Sequence, residues 1–142
     1  MLFYSLLHWG QRCTKRKKSL GILISRRLIR VLYSCNISVA ANIDETVRFS
    51  HYGLGVTIHE AATVGANTQI EVNVTIGEKE PGVAPHIGEN CLIGAGAVIL
   101  GNITIGNNVK VGANAVVIHN VPDNVTVVGV PGRIVQRGGE RG

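Results

Sequence analysis

The sequence predicts an all-β solenoid of six-residue units, preceded by a short helical segment. Three observations carry that reading. An apolar residue recurs at every sixth position. Ile87, Ile93, Ile99, Ile105, Val111 and Val117 form one series, Ile58, Val64, Ile70 and Ile76 a second, and Ile37, Ile43 and Phe49 a third. This spacing matches neither the roughly 3.6-residue repeat of a helix nor the roughly two-residue alternation of a strand. It matches a coil built of short strands and turns. Glycine then follows the apolar residue in many units, at Gly65, Gly77, Gly88, Gly94, Gly106 and Gly112, where the chain must turn. Finally, 18 glycines and only 4% aromatic residues suit a core of stacked Ile and Val, each layer resting on the next.

The elements follow in chain order. Residues 1–33 lack the period. Leu2, Phe3, Leu6, Leu7 and Trp9 predict a first helix, and Leu20, Leu23, Ile24, Leu28, Val31 and Leu32 a second. The basic run Lys15–Lys18 separates them. A solenoid end exposes unpaired strand edges, so these helices are expected to cap it. Charge is segregated as well. Residues 1–33 hold eight bases and no acid, whereas the remainder holds six bases and nine acids, for an overall +5. A nucleic-acid binder would be basic along its binding face, so no nucleic-acid partner is expected. The basic apolar arm also fits peripheral contact with an anionic membrane surface. It has neither the length of a membrane span nor the pattern of a secretory signal. Residues 1–35 are thus read as a helical cap or arm, 36–135 as the solenoid and 136–142 as a disordered tail.

Cys13, Cys35 and Cys91 show no metal or redox spacing, which suggests a reducing, cytoplasmic setting. Cys91 falls where other units carry Ala62, Thr68, Ala97 and Ala115, and is read as core.

The period slips twice. The step from Phe49 to Ile58 contains an insertion, Ser50–Gly55, and the step from Ile76 to Ile87 contains a longer one, Gly77–His86. Chemistry concentrates in loops carried by a rigid scaffold. His51 lies in the first insertion, followed by two glycines, and is the candidate general base. The alternative is an inert loop histidine. His59 and His86 each neighbour a core position and are expected to face outward, into a cleft or solvent. His51, His59 and His86 lack the tight spacing of a zinc site, so no metal is expected.

The runs His51-Tyr-Gly-Leu-Gly-Val-Thr-Ile-His59, Val74-Thr-Ile-Gly77 and Ile93–Gly106, with the closing Gly129-Val-Pro-Gly-Arg-Ile-Val135, resemble the serine acetyltransferases over about residues 36–135. The resemblance implies a left-handed parallel β-helix of hexapeptide repeats, a homotrimer, and acetyl-CoA as cosubstrate in the groove between prisms. It implies that His51 is the catalytic base. Ala95 and Ala113 match positions whose backbone faces the CoA arm. Lys110 and Arg133 match basic positions near its nucleotide end. Asn36 stands where the family pairs an Asp with its histidine. Ser50 stands at the position of an Asp that holds the serine amino group. Ala84 stands at that of a histidine for the serine carboxylate, with His86 two residues away. No cysteine synthase partner is expected, because the docking tail of that family has no counterpart here. The expected activity is O-acetyl transfer to a hydroxyl, either on a surface-polysaccharide sugar or on L-serine, in the cytoplasm or at the inner membrane face. The alternative is a non-catalytic trimeric scaffold.

Overall fold

The computed structural model describes residues 1–137. Two helices open the chain, α1 (Leu2–Lys15) and α2 (Ser19–Tyr33). α1 runs well beyond the Leu2–Trp9 stretch that its apolar residues predict. Its later turns carry polar residues, among which Gln11 donates its Nε2 to the carbonyls of Ile43 (3.1 Å) and Ala41 (3.4 Å).

The solenoid follows in short strands. Its first coil holds β1 (Asn36–Ile37), β2 (Asn42–Ile43) and β3 (Arg48–Phe49); its second, β4 (Thr57–Ile58), β5 (Thr63–Val64) and β6 (Gln69–Ile70). The third holds β7 (Thr75–Gly77), β8 (His86–Ile87) and β9 (Leu92–Ile93); the fourth, β10 (Val98–Leu100), β11 (Thr104–Ile105) and β12 (Lys110–Val111). The last coil has β13 (Val116–Val117) and β14 (Val125–Val128), with a single bridge from Val121 to Ile105 between them. Each coil contributes one strand to each of three parallel faces. The first face is β1-β4-β7-β10-β13, the second β2-β5-β8-β11, and the third β3-β6-β9-β12-β14. β15 (Arg133–Arg137) then folds back antiparallel on β14. The chain is thus ordered as strand two residues into the segment expected to be a disordered tail, because β14 offers β15 a free edge. The rest of that expected tail, residues 138–142, lies outside the described residues.

The six-residue series becomes three vertical stacks. Ile37, Ile58, Ile76, Ile99 and Val117 are in register on the first face. Ile43, Val64, Ile87 and Ile105 align on the second, and Phe49, Ile70, Ile93, Val111 and Val127 on the third. All are buried. Both insertions leave this register intact, so they bulge from corners. Cys91 is buried in the core as expected, and all three cysteines are free thiols.

The helices close the first coil. Phe3 is fully buried and stacks edge-on against Phe49 with centroids 5.6 Å apart. The Tyr4 hydroxyl accepts from the Phe49 amide at 2.9 Å. Gly10 fits against Val39 and Ser25, where a Cβ would lie 2.6 Å from each. Among the described residues, no helix is long and apolar enough to cross a membrane.

Candidate active site

The first insertion forms a tight turn at Ser50–Gly53, on the corner between the third and first faces. His51 (φ 48°, ψ 40°) and Tyr52 (φ 56°, ψ 32°) both adopt the left-handed conformation. Non-glycine residues enter that region at a cost of about 1–3 kcal/mol each and persist where their surroundings fix them. Here the surroundings are aromatic. Tyr52 packs on Tyr33 of α2 (5.8 Å) and Phe3 of α1 (6.3 Å). Buried Gly53 follows at φ 74°, with no room for a Cβ without pressing Ile37 at 3.2 Å. The cap helices therefore hold the turn that carries His51, and leave His51 itself exposed.

Directly below Ser50 in the third-face stack lies Glu71, since Phe49 pairs with Ile70. Its carboxylate accepts hydrogen bonds from the Ser50 hydroxyl and from Gln69 Nε2 (2.7 Å) and lies within range of the His51 charge. The Ser50 bond, then the Gln69 bond and the histidine charge, hold the Glu71 carboxyl below the ordinary glutamate range. Sequence reasoning missed this acid.

The corner continues downward as a column of small residues. Gly94-Ala95 and Gly112-Ala113 follow Ile93 and Val111 on the next two coils. The rungs are tied by amide bonds of 2.9 Å, from Asn73 to the Leu54 carbonyl, Gly96 to Val72 and Asn114 to Ala95. A Cβ on Gly94 would sit 2.6 Å from the Ala113 amide nitrogen. With coils about 5 Å apart, His51 and Ala113 mark the ends of an edge roughly 15 Å long. Lys110 projects from the third face beside this edge, and Arg133 pairs across from Val128 at its foot; both are exposed. The structure thus gathers His51, Ser50, Ala95, Ala113, Lys110 and Arg133 along one side.

Asn36 opens the first face at the same corner, where its amide donates to the Val56 carbonyl (2.8 Å) at the end of the His51 turn, whereas Ala84 and His86 lie elsewhere. Asn36 lines a cavity of about 540 Å³ on the first face, with Thr57, His59, Thr75, Glu78 and Arg26 of α2. The acid whose carboxyl feels the His51 charge is Glu71. Ala84 and His86 belong to the second insertion, which leaves the prism at the corner between the first and second faces. His59 anchors that loop. Its Nδ1 accepts from the Ala61 amide (3.2 Å), so a neutral ring carries its proton on Nε2, 3.4 Å from Glu78 Oε2. The same Glu78 oxygen accepts from the Gly82 amide at 2.7 Å. His51 and His59 stand at different corners, and among the described residues no group of three His, Cys, Asp or Glu could hold a metal ion.

The bacterial transferase hexapeptide family (six repeats) matches residues 84–119. The serine acetyltransferase of Staphylococcus xylosus is 45% identical over 130 residues, covering 89% of this chain. This chain is a hexapeptide-repeat protein homologous to the serine acetyltransferases. Solved structures agree. The Brucella abortus strain S19 serine acetyltransferase in complex with coenzyme A superposes with a TM-score of 0.88 at 32% identity over 95% of the chain. The Neisseria gonorrhoeae serine acetyltransferase in complex with serine gives 0.85 at 35% identity over 92%. The chain spans 59% of the staphylococcal protein, and 55% and 54% of the two solved chains.

Proposed function

We propose that the chain is an acetyl-CoA-dependent O-acetyltransferase with His51 as general base. The observation that carries this reading is the placement of His51, on a turn fixed by aromatic packing, at the head of an edge whose lower rungs are Gly and Ala. Small rungs let a narrow pantetheine arm lie against the backbone. Lys110 and Arg133 are placed to meet its phosphates. The likeness to a coenzyme A complex supports the same cosubstrate.

In this mechanism the imidazole of His51 removes the proton from the acceptor hydroxyl as its oxygen attacks the thioester carbonyl. The tetrahedral intermediate collapses by breaking the carbon–sulfur bond, and the CoA thiolate takes the proton from the imidazolium. Glu71, held ionised by Ser50 and Gln69, supplies the opposite charge that the imidazolium needs. Asn36 carries no charge and is not assigned that role.

A homotrimer is part of the proposal. One prism carries His51 at one corner, and Ala84 and His86 at the next, so a neighbouring prism is needed to bring the second loop to the histidine. The acceptor we favour is a sugar hydroxyl. Asn36, Ser50 and Ala84 supply no charge with which to read both an ammonium and a carboxylate. The serine-bound neighbour favours L-serine as a second reading. Three buried free thiols suit a reducing, cytoplasmic setting.

The test is thiol release from acetyl-CoA with L-serine, hexoses and amino sugars as acceptors. His51→Ala should lower turnover by a hundredfold or more, the scale of general base catalysis. Unchanged turnover in that variant would remove His51 as the base, and no turnover by the wild type with any acceptor would leave the non-catalytic scaffold as the better reading.

A further inference from the structure

The cap helices bury one face against the prism and leave the other without a partner. On α2 only Ser25 and Ile29 are buried. Leu20, Ile24, Leu28 and Val31 recur at helical spacing on the opposite side and are all exposed, Leu20 and Val31 by 69% and 78%. Arg27 and Arg30 flank this stripe and are exposed too. Next to it, where α1 turns into α2, lies a cavity of about 560 Å³. Its wall combines the apolar Trp9, Leu20 and Ile24 with the cationic Arg12, Arg16 and Lys18. Among the described residues, no carboxylate lies within ion-pair distance of any base in residues 1–33.

We propose that this face is a docking surface for an anionic phospholipid bilayer, on which α2 lies flat. The charge pattern selects that occupant. A protein interface tends to lose charged residues from its core, whereas this stripe is bordered by cations with no acid among them. Amphipathic helices with basic flanks and an apolar face bind at the headgroup boundary, and tryptophan favours the same depth. Helices too short and too polar to cross the bilayer can still rest on it. The proposal does not depend on the acetyl-transfer reading.

Trp9 is the chain's one tryptophan and therefore an internal reporter. The full chain is mixed with vesicles of phosphatidylcholine and phosphatidylglycerol (about three to one), or of phosphatidylcholine alone. Sedimentation and Trp9 emission are then read at low and high salt. Binding to the anionic vesicles with a blue shift of Trp9, weakened by salt, is expected. Leu20→Gln/Val31→Gln should reduce that binding tenfold or more, because it removes the inserted apolar area. Arg16→Glu/Lys18→Glu should do the same through charge. All four residues are exposed, so folding should be unaffected, as circular dichroism would show. Absence of binding at low salt overturns the proposal. Equal binding to neutral vesicles overturns it as well, as does binding that ignores the apolar double variant. If that variant instead lowers the oligomeric mass measured by light scattering, the face is an interface between copies of this chain and the bilayer is excluded as its occupant.

Discussion

Two consecutive left-handed residues, His51 and Tyr52, cost conformational energy that only their side-chain surroundings can offset. The Tyr52 ring supplies that offset on Phe3 and Tyr33. Tyr52→Asn separates the two effects, because Asn tolerates the left-handed backbone but lacks the ring. It should lower kcat by about tenfold or more through a misplaced His51. The KM for acetyl-CoA should stay near its wild-type value, since the Ala95–Ala113 edge is untouched; steady-state kinetics would show this split. Glu71 gives a second prediction. Its depressed pKa means that the folded chain gains stability while the carboxyl is ionised, above the ordinary glutamate range. That gain is lost as pH falls through the lower folded value. Glu71→Gln should therefore flatten the acid limb of the stability curve, by a small amount because the group is largely solvated, and it should reduce turnover. At this scale the sequence was only partly legible. His51 was marked by the break in period. Glu71 was not, because it is separated from His51 along the chain and comes near it only through the pairing of Phe49 with Ile70.

At the scale of elements, the second insertion is held by few contacts. Glu78 accepts from both Gly82 and His59, and Glu80 pairs with Val83 across the tip. Removing the carboxylate in Glu78→Ala should free the loop from its corner. Hydrogen exchange at Gly82 should rise by tenfold or more. The pair itself is half exposed, so global stability should change by no more than about 1 kcal/mol. If the loop shapes the acceptor site of a neighbouring prism, the acceptor KM rises while that for acetyl-CoA does not. The sequence marked where this loop begins and ends, since the period resumes at Ile87. It did not show that the two insertions leave from different corners. That follows from counting strands around the prism, and it is why His86 is remote from His51 within one chain. The cap helices were legible in outline from their apolar spacing. The polar end of α1 was not, because Gln11 is recruited by carbonyls of the first coil.

For the whole molecule, stability is that of a stack. Each coil touches only its neighbours, so a fault in the middle weakens two interfaces, while a fault on an outward loop weakens none. Gly65, Gly88 and Gly106 run down the corner between the second and third faces, away from the His51 edge. A Cβ on Gly88 would lie 2.8 Å from the carbonyl group of Gly106, which is backbone and cannot swing aside. Gly82, in the second insertion, would meet nothing within 4 Å, although its φ of 79° disfavours any side chain. Gly88→Ala should thus force adjacent coils apart and cost about 1–3 kcal/mol of overpacking. For a chain of this size that corresponds to a fall of roughly 3–10 °C in Tm. Gly82→Ala carries only the local backbone cost, on the order of 1 kcal/mol. Thermal unfolding followed by circular dichroism compares the two directly. Equal losses would mean that the coils are not the cooperative units of this fold. A larger loss at Gly88, with turnover by the surviving folded fraction unchanged, would show that the glycines recurring after the core residues serve the closeness of the coils.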